Sequence, residues 1–272
     1  MVHQWKQGRK LGELHMSVWV TGDIHADPSR LSTENFYQQK EFSGNQDENI
    51  VIILGDFGLV WNREQESKQE RYWLNWLESK PFTTVFVDGN HENHIRLATY
   101  PETDWHGGKV HAIRPHVLHL MRGEIFTIED KRFFAFGGAS SHDIQDGILD
   151  YDDTEWRDKA KNLEKQGKRM YRVKNLTWWK EELPSQEEIQ HGSYSLNENN
   201  NTVDYILTHS PSTSEIYLMS AKGLYVPDML TNYLEEVKVV TNYTKHLFGH
   251  MHMDHAINDR DICLYEKIMR IL

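Results

Sequence analysis

Five short clusters of Asp, Asn and His side chains are the residues of this sequence best suited to chemistry, and each follows a short apolar run. The clusters are Gly22-Asp23-Ile24-His25, Gly55-Asp56, Gly89-Asn90-His91-Glu92, Thr208-His209 and Gly249-His250-Met251-His252. Carboxylate, amide and imidazole groups are donors that divalent transition metals bind in proteins. No cysteine belongs to a cluster, which excludes a structural zinc site built from thiolates. The clusters therefore predict a site for divalent metals.

The apolar runs before the clusters are short and almost continuously apolar, as are strands buried on both faces of a sheet. They span 17–21, 50–54, 84–87, 203–207 and 245–248. Aromatic residues at helical spacing predict a helix over 66–77, and this alternation of strand and helix is typical of βαβ units. Ligands of α/β sheets bind beyond the carboxyl ends of the strands. We therefore expect all five clusters to converge at one edge.

The second half of the chain shows a different pattern. Closely spaced strand candidates at 110–113, 117–121, 125–128 and 133–136 predict a second, largely antiparallel sheet stacked on the first. Residues 142–201 are strongly polar, and we interpret them as an insertion or partial cap with helices over 154–166 and 176–183. Residues 1–15 are polar without an apolar core, and we expect a tail that is non-native or disordered. The predicted domain is thus 16–272.

Composition limits the class of partner. The 272 residues include 30 Lys and Arg against 41 Asp and Glu, and a net charge of -11 disfavours binding of long duplex nucleic acid. The single Cys263 cannot form an intrachain disulfide and suits a reducing cytosol, so a cytoplasmic location is expected. No apolar run is long enough to span a bilayer, and no membrane partner is expected. The sequence leaves the oligomeric state open.

The ordered set D-x-H, G-D, G-N-H-[DE], H and G-H-x-H resembles the pattern of the calcineurin-like metallophosphoesterase superfamily, and the match extends over residues 16–272. The resemblance implies an α/β fold, a four-layer α/β/β/α sandwich of two mixed sheets flanked by helices, with two metals at the strand ends. It also implies the metal ligands. One metal would be bound by Asp23, His25 and His252, and the other by Asn90, His209 and His250. Asp56 would bridge the two metals. By the same resemblance, His91 is the non-ligand histidine beside the scissile ester.

A pair of metals at such a site has a defined chemistry. Two cations about 3.5–4 Å apart clamp a phosphoryl oxygen and lower the pKa of a bridging water, so that hydroxide attacks phosphorus in line. His91 as imidazolium would protonate the leaving alkoxide. We expect two divalent ions per chain and favour manganese, although iron, zinc and nickel bind the same donors.

One departure from the superfamily pattern affects the substrate. Protein phosphatases continue the second motif as G-D-x-x-D-R-G, whereas Leu59 and Val60 occupy the positions of the histidine-orienting Asp and the phosphate-binding Arg. This weakens a phosphoprotein-phosphatase assignment and leaves open which group orients His91. The candidate substrate-binding residues are His142, Asp143 and Arg114, for which an ordinary turn or a surface charge is the alternative interpretation.

The predicted function is a metal-dependent phosphoesterase in which a metal-bridging hydroxide attacks a small nucleotide-like phosphoester or phosphodiester. One alternative is a phosphomonoesterase acting on protein or on nucleic acid ends. An alternative of another class is an interaction scaffold on the same fold. Scaffolds lose metal ligands, whereas this chain has a residue of the expected type at all seven ligand positions, so the enzyme is favoured.

Overall fold

Two β-sheets stacked face to face form the centre of the protein in its computed structural model, which describes residues 16–42, 44–220, 223 and 225–272. The tail predicted at 1–15 lies outside the described residues. The strands of the first sheet are β1 (Ser17–Thr21), β2 (Asn49–Leu54), β3 (Thr83–Val87), β4 (Glu102–Trp105), β5 (Gly108–Arg114), β6 (Val117–Leu120) and β15 (Met269–Arg270). They lie in the order β15-β1-β2-β3-β6-β5-β4.

The second sheet has six strands, and a separate pair of strands lies in the polar segment. The six strands are β7 (Glu124–Ile128), β8 (Lys131–Phe136), β11 (Tyr205–Thr208), β12 (Lys245–Phe248), β13 (His255–Ala256) and β14 (Asp261–Cys263). Their order is β13-β14-β12-β11-β8-β7. The separate pair, β9 (Gly147–Asp150) and β10 (Tyr171–Lys174), is parallel.

Helices cover the outer faces of both sheets. The α-helices are α1 (Lys68–Glu78), α2 (His94–Leu97), α3 (Trp156–Lys165), α4 (Gln186–Glu198), α5 (Thr213–Met219) and α6 (Met229–Val240). Along β2, Ile50 and Ile52 face the second sheet, whereas Val51 and Ile53 pack with the apolar side of α1. Helices α4 and α6 cover the far side of the second sheet. This confirms an α/β fold of two mixed sheets flanked by helices. No helix of the described residues is long and apolar enough to cross a membrane.

The five strands predicted before the motif clusters are confirmed, but the meander prediction was wrong in topology. Strands β5 and β6 belong to the first sheet, and only the hairpin β7–β8 joins the second. The pairs β8–β11, β11–β12 and β12–β14 are parallel, so the second sheet is not largely antiparallel. The chain changes sheets at 121–123, where Gly123 has a φ of 84°. Strand spacing alone cannot show which sheet a hairpin joins.

The polar segment 142–201 also differs from its prediction. A helix over 176–183 is not formed; only a 3-10 turn occurs there, at Lys180–Glu182. The helix begins after Pro184, because Ser185 and Glu188 form a capping box at the start of α4. Helix α4 packs on the second sheet, and the insertion or partial cap over 142–201 stays a prediction. The other predicted helix is confirmed as α3.

A buried ion pair fixes the loop that follows the second motif. Glu70 on α1 accepts hydrogen bonds from the backbone of Trp61 at 2.6 Å and Asn62 at 3.0 Å, and from the guanidinium of Arg96 at 2.8 Å. Burial alone would raise the pKa of Glu70, but these donors outweigh it and lower the pKa to about 2. Arg96 is therefore a buried structural partner of Glu70.

This ion pair gives a stability prediction. Glu70→Gln should destabilise the protein by about 3 kcal/mol at pH 7, because Arg96 keeps a buried charge without its partner. Since the folded-state pKa of Glu70 is depressed, its contribution is present above pH about 4.5 and is lost as the pH falls toward about 2. Urea unfolding at pH 7 and pH 3 measures the difference, with the exposed Glu64→Gln as the control. Equal stability of wild type and Glu70→Gln at pH 7 would contradict the assignment.

Candidate metal centre

Strand register brings the motif clusters to one edge of the sandwich. Strands β1, β2 and β3 are parallel neighbours, with Thr21 beside Ile53 and Leu54 beside Val87, so their clusters emerge side by side. Strands β11 and β12 are parallel in the second sheet and end at the same edge. The predicted convergence therefore occurs, although the clusters come from two sheets and not from one.

The predicted ligands form two groups that share a carboxylate. In each group the donor atoms lie within 4.8 Å of one another; the groups are Asp23, His25, Asp56 and His252, and Asp56, His209 and His250. The shared residue, Asp56, accepts a hydrogen bond from the backbone N–H of His91 at 2.8 Å, which places the Asn90–His91 turn against it. Asp56 is thus common to both groups, and the division of the ligands between two metals, with Asp56 as the bridge, stays a prediction.

The donor atoms fit divalent cations because several of them are buried without a hydrogen-bond partner. Asp23 Oδ2, Asn90 Oδ1 and His209 Nε2 are buried without a hydrogen bond. A buried polar atom left in this way costs about 1–3 kcal/mol. The Nε2 atoms of His25 and His252 face each other at 3.0 Å, an approach that requires a proton or a cation. A pair of metal ions would satisfy these atoms together.

Neighbouring groups orient the ligands. The Nδ1–H of His209 donates to the carbonyl oxygen of Leu54 at 2.7 Å, which directs Nε2 into the site. The amide nitrogen of Asn90 donates to Ser141 Oγ at 3.4 Å, and Ser141 in turn donates to Glu182 at 2.6 Å. The amide oxygen of Asn90 is therefore the atom that faces the site. Such partners fix the ring tautomer and the side-chain direction of metal ligands.

The negative charge of the buried carboxylates in the cluster favours the binding of cations. Burial alone would lower the pKa of His209, but Asp56 and Asp23 outweigh it and raise the pKa to about 10. Burial alone would raise the pKa of Asp56, but His209 outweighs it and holds the pKa well below its usual range. Buried carboxylates are stable as anions only beside a positive charge, so Asp23 and Asp56 are suited to bind metal ions. A bound ion would replace the proton on the imidazole of His209.

The backbone at the ligands is held in the left-handed region. His25, Asp56, His250 and His252 have φ values of 43°, 43°, 65° and 49°. Such a conformation costs a non-glycine residue on the order of 1–3 kcal/mol and persists only where surrounding structure enforces it. Four of the seven predicted ligands share this feature, which is expected where side chains must turn inward to a common point.

Glu92 is one of the groups that enforce this geometry. Its buried carboxylate accepts hydrogen bonds from the backbone of Phe57 at 2.6 Å, Gly58 at 3.3 Å and Gly89 at 2.7 Å. These donors lie on both sides of the interface between the Asp56 turn and the Asn90 turn. Burial, with the nearby Asp56, raises the pKa of Glu92 to about 8. The fourth residue of Gly-Asn-His-Glu therefore joins two ligand turns.

The motif glycines allow close approach. A Cβ atom on Gly55, whose φ is 90°, would collide with the His209 ring, and one on Gly249 would collide with Asp23 Oδ1. Only a residue without a side chain lets the two sheets bring their ligands this near.

His91 lies at the edge of the cluster between aromatic and basic groups. Its ring stacks on Trp61, with centroids 5.5 Å apart, and meets the His25 ring edge-on at 4.9 Å. Burial lowers the pKa of His91 to about 4, with Asp56 opposing and Arg172 adding to the effect. Leu59 is fully buried in the hydrophobic cluster beneath the first sheet. The orienting groups at His91 are therefore Trp61 and Arg172.

The three substrate-binding candidates have different surroundings. Asp143 accepts a hydrogen bond from Arg172 at 2.6 Å, beside His91. The His142 ring lies 6.0 Å from the His250 ring and lines a cavity of about 200 Å³. Arg114 instead donates with both terminal nitrogens to Glu66, at 2.7 and 2.8 Å, and none of its described contacts involves a predicted metal ligand. The structure brings two of the three to the centre.

Arg172 and Trp61 are site residues that the sequence did not indicate. Arg172 stands 81 positions after His91 in a polar segment, and no motif marks it. Trp61 follows the second motif but shares no pattern with the ligands. It also meets the buried Trp179 edge-on at 5.0 Å, so the polar segment packs directly on the His91 region. Only the tertiary contacts identify these residues.

A third acidic and imidazole group lies outside the centre. Glu215, His246 and Asp261 are close enough to bind an ion, but Lys238 Nζ lies 2.5 Å from Glu215 and 3.4 Å from Asp261. A lysine ammonium thus provides the positive charge there. His246 contacts Thr208 at 2.8 Å and so supports the strand that carries the next residue, His209.

Comparisons with known proteins found one family model and solved structures that are similar to this chain. A solved structure similar to this chain is that of phosphopantetheinyl hydrolase from Mycobacterium tuberculosis, with 13% identity and a TM-score of 0.46 over 95% of this chain and 96% of that chain. None of the curated proteins compared matches the sequence. The family model described as calcineurin-like phosphoesterase matches residues 16–254, a range that contains all five clusters. The chain therefore belongs to the calcineurin-like phosphoesterase family.

Proposed function

We propose that the chain hydrolyses a small nucleotide-like phosphoester or phosphodiester at the centre formed by the five clusters. Family membership makes it a metal-dependent phosphoester hydrolase; the substrate class, the ligand set and the role of His91 are the proposal. The observation that supports it most is the sharing of Asp56 by two ligand groups directly beside His91. Strained backbone and buried donor atoms without a hydrogen bond cost stability, and metal binding for catalysis would explain that cost, whereas an interaction scaffold would not.

The side chains divide the work of such a reaction. Two bound divalent ions supply charge neutralisation at the phosphoryl oxygens and a water of lowered pKa. Asp56 fixes the separation of the two ligand groups, and Leu54 and Ser141 hold His209 and Asn90 in place for binding. A phosphoryl dianion beside His91 would raise its pKa from the low value of the free site. Nε2 accepts from Arg172 in the free site, so a phosphoryl oxygen that takes over this contact would leave His91 able to hold a proton at Nε2 for the leaving oxygen.

The identity of the ions and the location of the protein are parts of the same proposal. Manganese suits the mixed oxygen and imidazole donors, as do iron, zinc and nickel. The acidic surface, with its net charge of -11, supports a small substrate over a long nucleic acid. A cytoplasmic location stays a prediction from the single cysteine.

Metal removal tests the proposed function. Chelation should abolish hydrolysis of p-nitrophenyl phosphate, and added manganese should restore it, because only bound metal can lower the pKa of the attacking water. The measurement is the initial rate before and after exhaustive dialysis against chelator, with elemental analysis of each sample. A panel of monoesters and diesters then ranks the substrates. Full activity in metal-free protein, or no hydrolysis of any ester in manganese-loaded protein, would contradict the proposal.

A further inference from the structure

The polar segment delivers one guanidinium to the centre. Arg172 lies on β10 and is buried, with only 7% of its surface exposed. Its Nε donates to Asp143 at 2.6 Å, and its Nη1 donates to the carbonyl oxygen of Thr177 at 3.0 Å. Its Nη2 lies 3.0 Å from Nε2 of His91. The first two contacts fix the direction of the side chain, and the third places a cationic nitrogen at the histidine beside the ligand cluster.

The contact between Arg172 and His91 is one that an anion would improve. A guanidinium has five N–H donors and no acceptor, and an imidazole nitrogen accepts only in its neutral form. Nη2 of Arg172 can only donate, so Nε2 of His91 is the acceptor in their contact at 3.0 Å, and a neutral nitrogen is a weaker acceptor for a guanidinium than an anionic oxygen. An anionic oxygen beside this contact would accept from Nη2 in place of the imidazole nitrogen, and charge-assisted hydrogen bonds of this kind are the strong ones. The rigid guanidinium plane, already anchored by Asp143, would bind that oxygen with little loss of freedom.

The number of phosphoryl oxygens connects this arrangement to a substrate class. A phosphomonoester has three non-bridging oxygens, whereas a phosphodiester has two. A pair of cations engages the oxygens of the transferred group, and two oxygens suffice for two ions. With two non-bridging oxygens engaged by the two ions, a monoester would have one non-bridging oxygen left to accept from a protein donor, and a diester would have none. A donor dedicated to the third oxygen favours the monoester, whose dianion also gains more from a nearby positive charge.

We propose that Arg172 binds the third phosphoryl oxygen, so that the centre prefers phosphomonoesters to phosphodiesters. This proposal rests on the proposed function and narrows its substrate class. It also gives the polar segment a role, because Arg172 and Asp143 both belong to it. The second motif has Val60 where protein phosphatases have an arginine, and Arg172 reaches the centre from a different part of the chain.

The test compares two esters that share one leaving group. Arg172→Ala should lose about 10²-fold in kcat/KM on p-nitrophenyl phosphate, the usual loss for one donor to a transition-state oxygen. It should lose less than about threefold on bis(p-nitrophenyl) phosphate, because no oxygen of the diester is assigned to Arg172. Arg169→Ala, an exposed arginine of the same segment, is the matched control and should leave both rates unchanged. Equal losses on the two esters would overturn the proposal.

Binding of inorganic phosphate provides a readout that does not depend on turnover. Calorimetric titration of the manganese-loaded protein should show affinity for phosphate reduced by about tenfold or more in Arg172→Ala, since a charge-assisted contact is lost. Unchanged affinity would also overturn the proposal. If the wild type hydrolyses neither ester, the proposed function fails, and the phosphate titration still decides the role of Arg172.

A second variant guards against a folding defect. Arg172→Lys keeps a positive charge but lacks the planar fork. If Arg172→Ala loses metals or thermal stability, the comparison uses Arg172→Lys, in which we expect the same selective loss on the monoester, smaller in size. Added guanidinium should partly restore monoester hydrolysis by Arg172→Ala and leave diester hydrolysis unchanged. Restoration of both rates to the same degree would identify Arg172 as a structural residue only.

Discussion

Asp56→Asn is expected to lower the metal content below two ions per chain and to reduce hydrolysis by more than about 10²-fold, since even indirect partners of metal ligands account for about 10–100-fold. Asp56 is the one ligand shared by both groups, and its oxygens lie 3.3 Å from His209 Nε2 and 3.7 Å from His25 Nδ1. An amide has the same shape but no charge, so the variant removes the negative charge that both sites use.

The substitution is conservative in every other respect. Asp56 has a φ of 43°, and asparagine tolerates the left-handed region as well as aspartate does, so the backbone strain is unchanged. The side-chain oxygen can still accept the hydrogen bond from His91 N–H, which is 2.8 Å long in the wild type. A loss of metal would therefore report the bridging charge and not a collapsed turn.

Elemental analysis after gel filtration, paired with the rate on an aryl phosphate, measures this effect. Asp259→Asn changes an exposed carboxylate of the same chain and should alter neither quantity. Two tightly held ions in Asp56→Asn would show that the carboxylate does not bridge, whatever happened to the rate.

The proximity of the candidate ligands was predictable because each of them belongs to a short turn directly after a strand. The position of His25 or His252 relative to its strand is fixed by two or three residues, so local sequence is enough to place the side chain. Parallel register then aligns the turns, as the pairing of Thr21 with Ile53 shows. The pattern required no knowledge of distant contacts, apart from the rule that ligands bind at the carboxyl ends of strands.

The parts that sequence did not reveal depend on long-range packing. Arg172 reaches His91 across 81 positions, and nothing in its neighbours distinguishes it from Arg169. The assignment of β5 and β6 to the first sheet is set by pairing with β3, which hairpin spacing does not report. The start of α4 was different, because Ser185 and Glu188 form a local capping signature that the prediction of a helix over 176–183 overlooked.

His91→Ala is expected to keep both metals and to lose about 10²–10⁴-fold in kcat/KM on alkyl phosphoesters, the usual contribution of a general acid. The loss on p-nitrophenyl phosphate should be far smaller, because nitrophenolate leaves without protonation. His91 cannot readily bind the ion assigned to Asn90, since the adjacent side chain of the turn projects elsewhere. It faces Trp61 and Arg172 at the edge of the cluster.

The surroundings of His91 make the outcome informative. Trp61 stacks on the ring and Arg172 contacts Nε2, so two groups hold the imidazole in one orientation even though Leu59 replaces the expected aspartate. A guanidinium only donates, so in the free site Nε2 is the acceptor and the ring proton lies on Nδ1; bound substrate must take over the contact with Arg172 before Nε2 can carry a proton to the leaving oxygen. A small loss of activity in His91→Ala could therefore not be explained by a disordered ring in the wild type.

Rates on one alkyl and one aryl ester, with metal analysis of each sample, complete the test. His255→Ala removes an exposed histidine of the second sheet and should change none of these values. Equal losses on the two esters would assign His91 a purely electrostatic role, because only proton donation depends on the leaving group. Loss of metal would instead make His91 a ligand. A loss confined to the alkyl ester, with both metals retained, is the result that a general acid at this position requires.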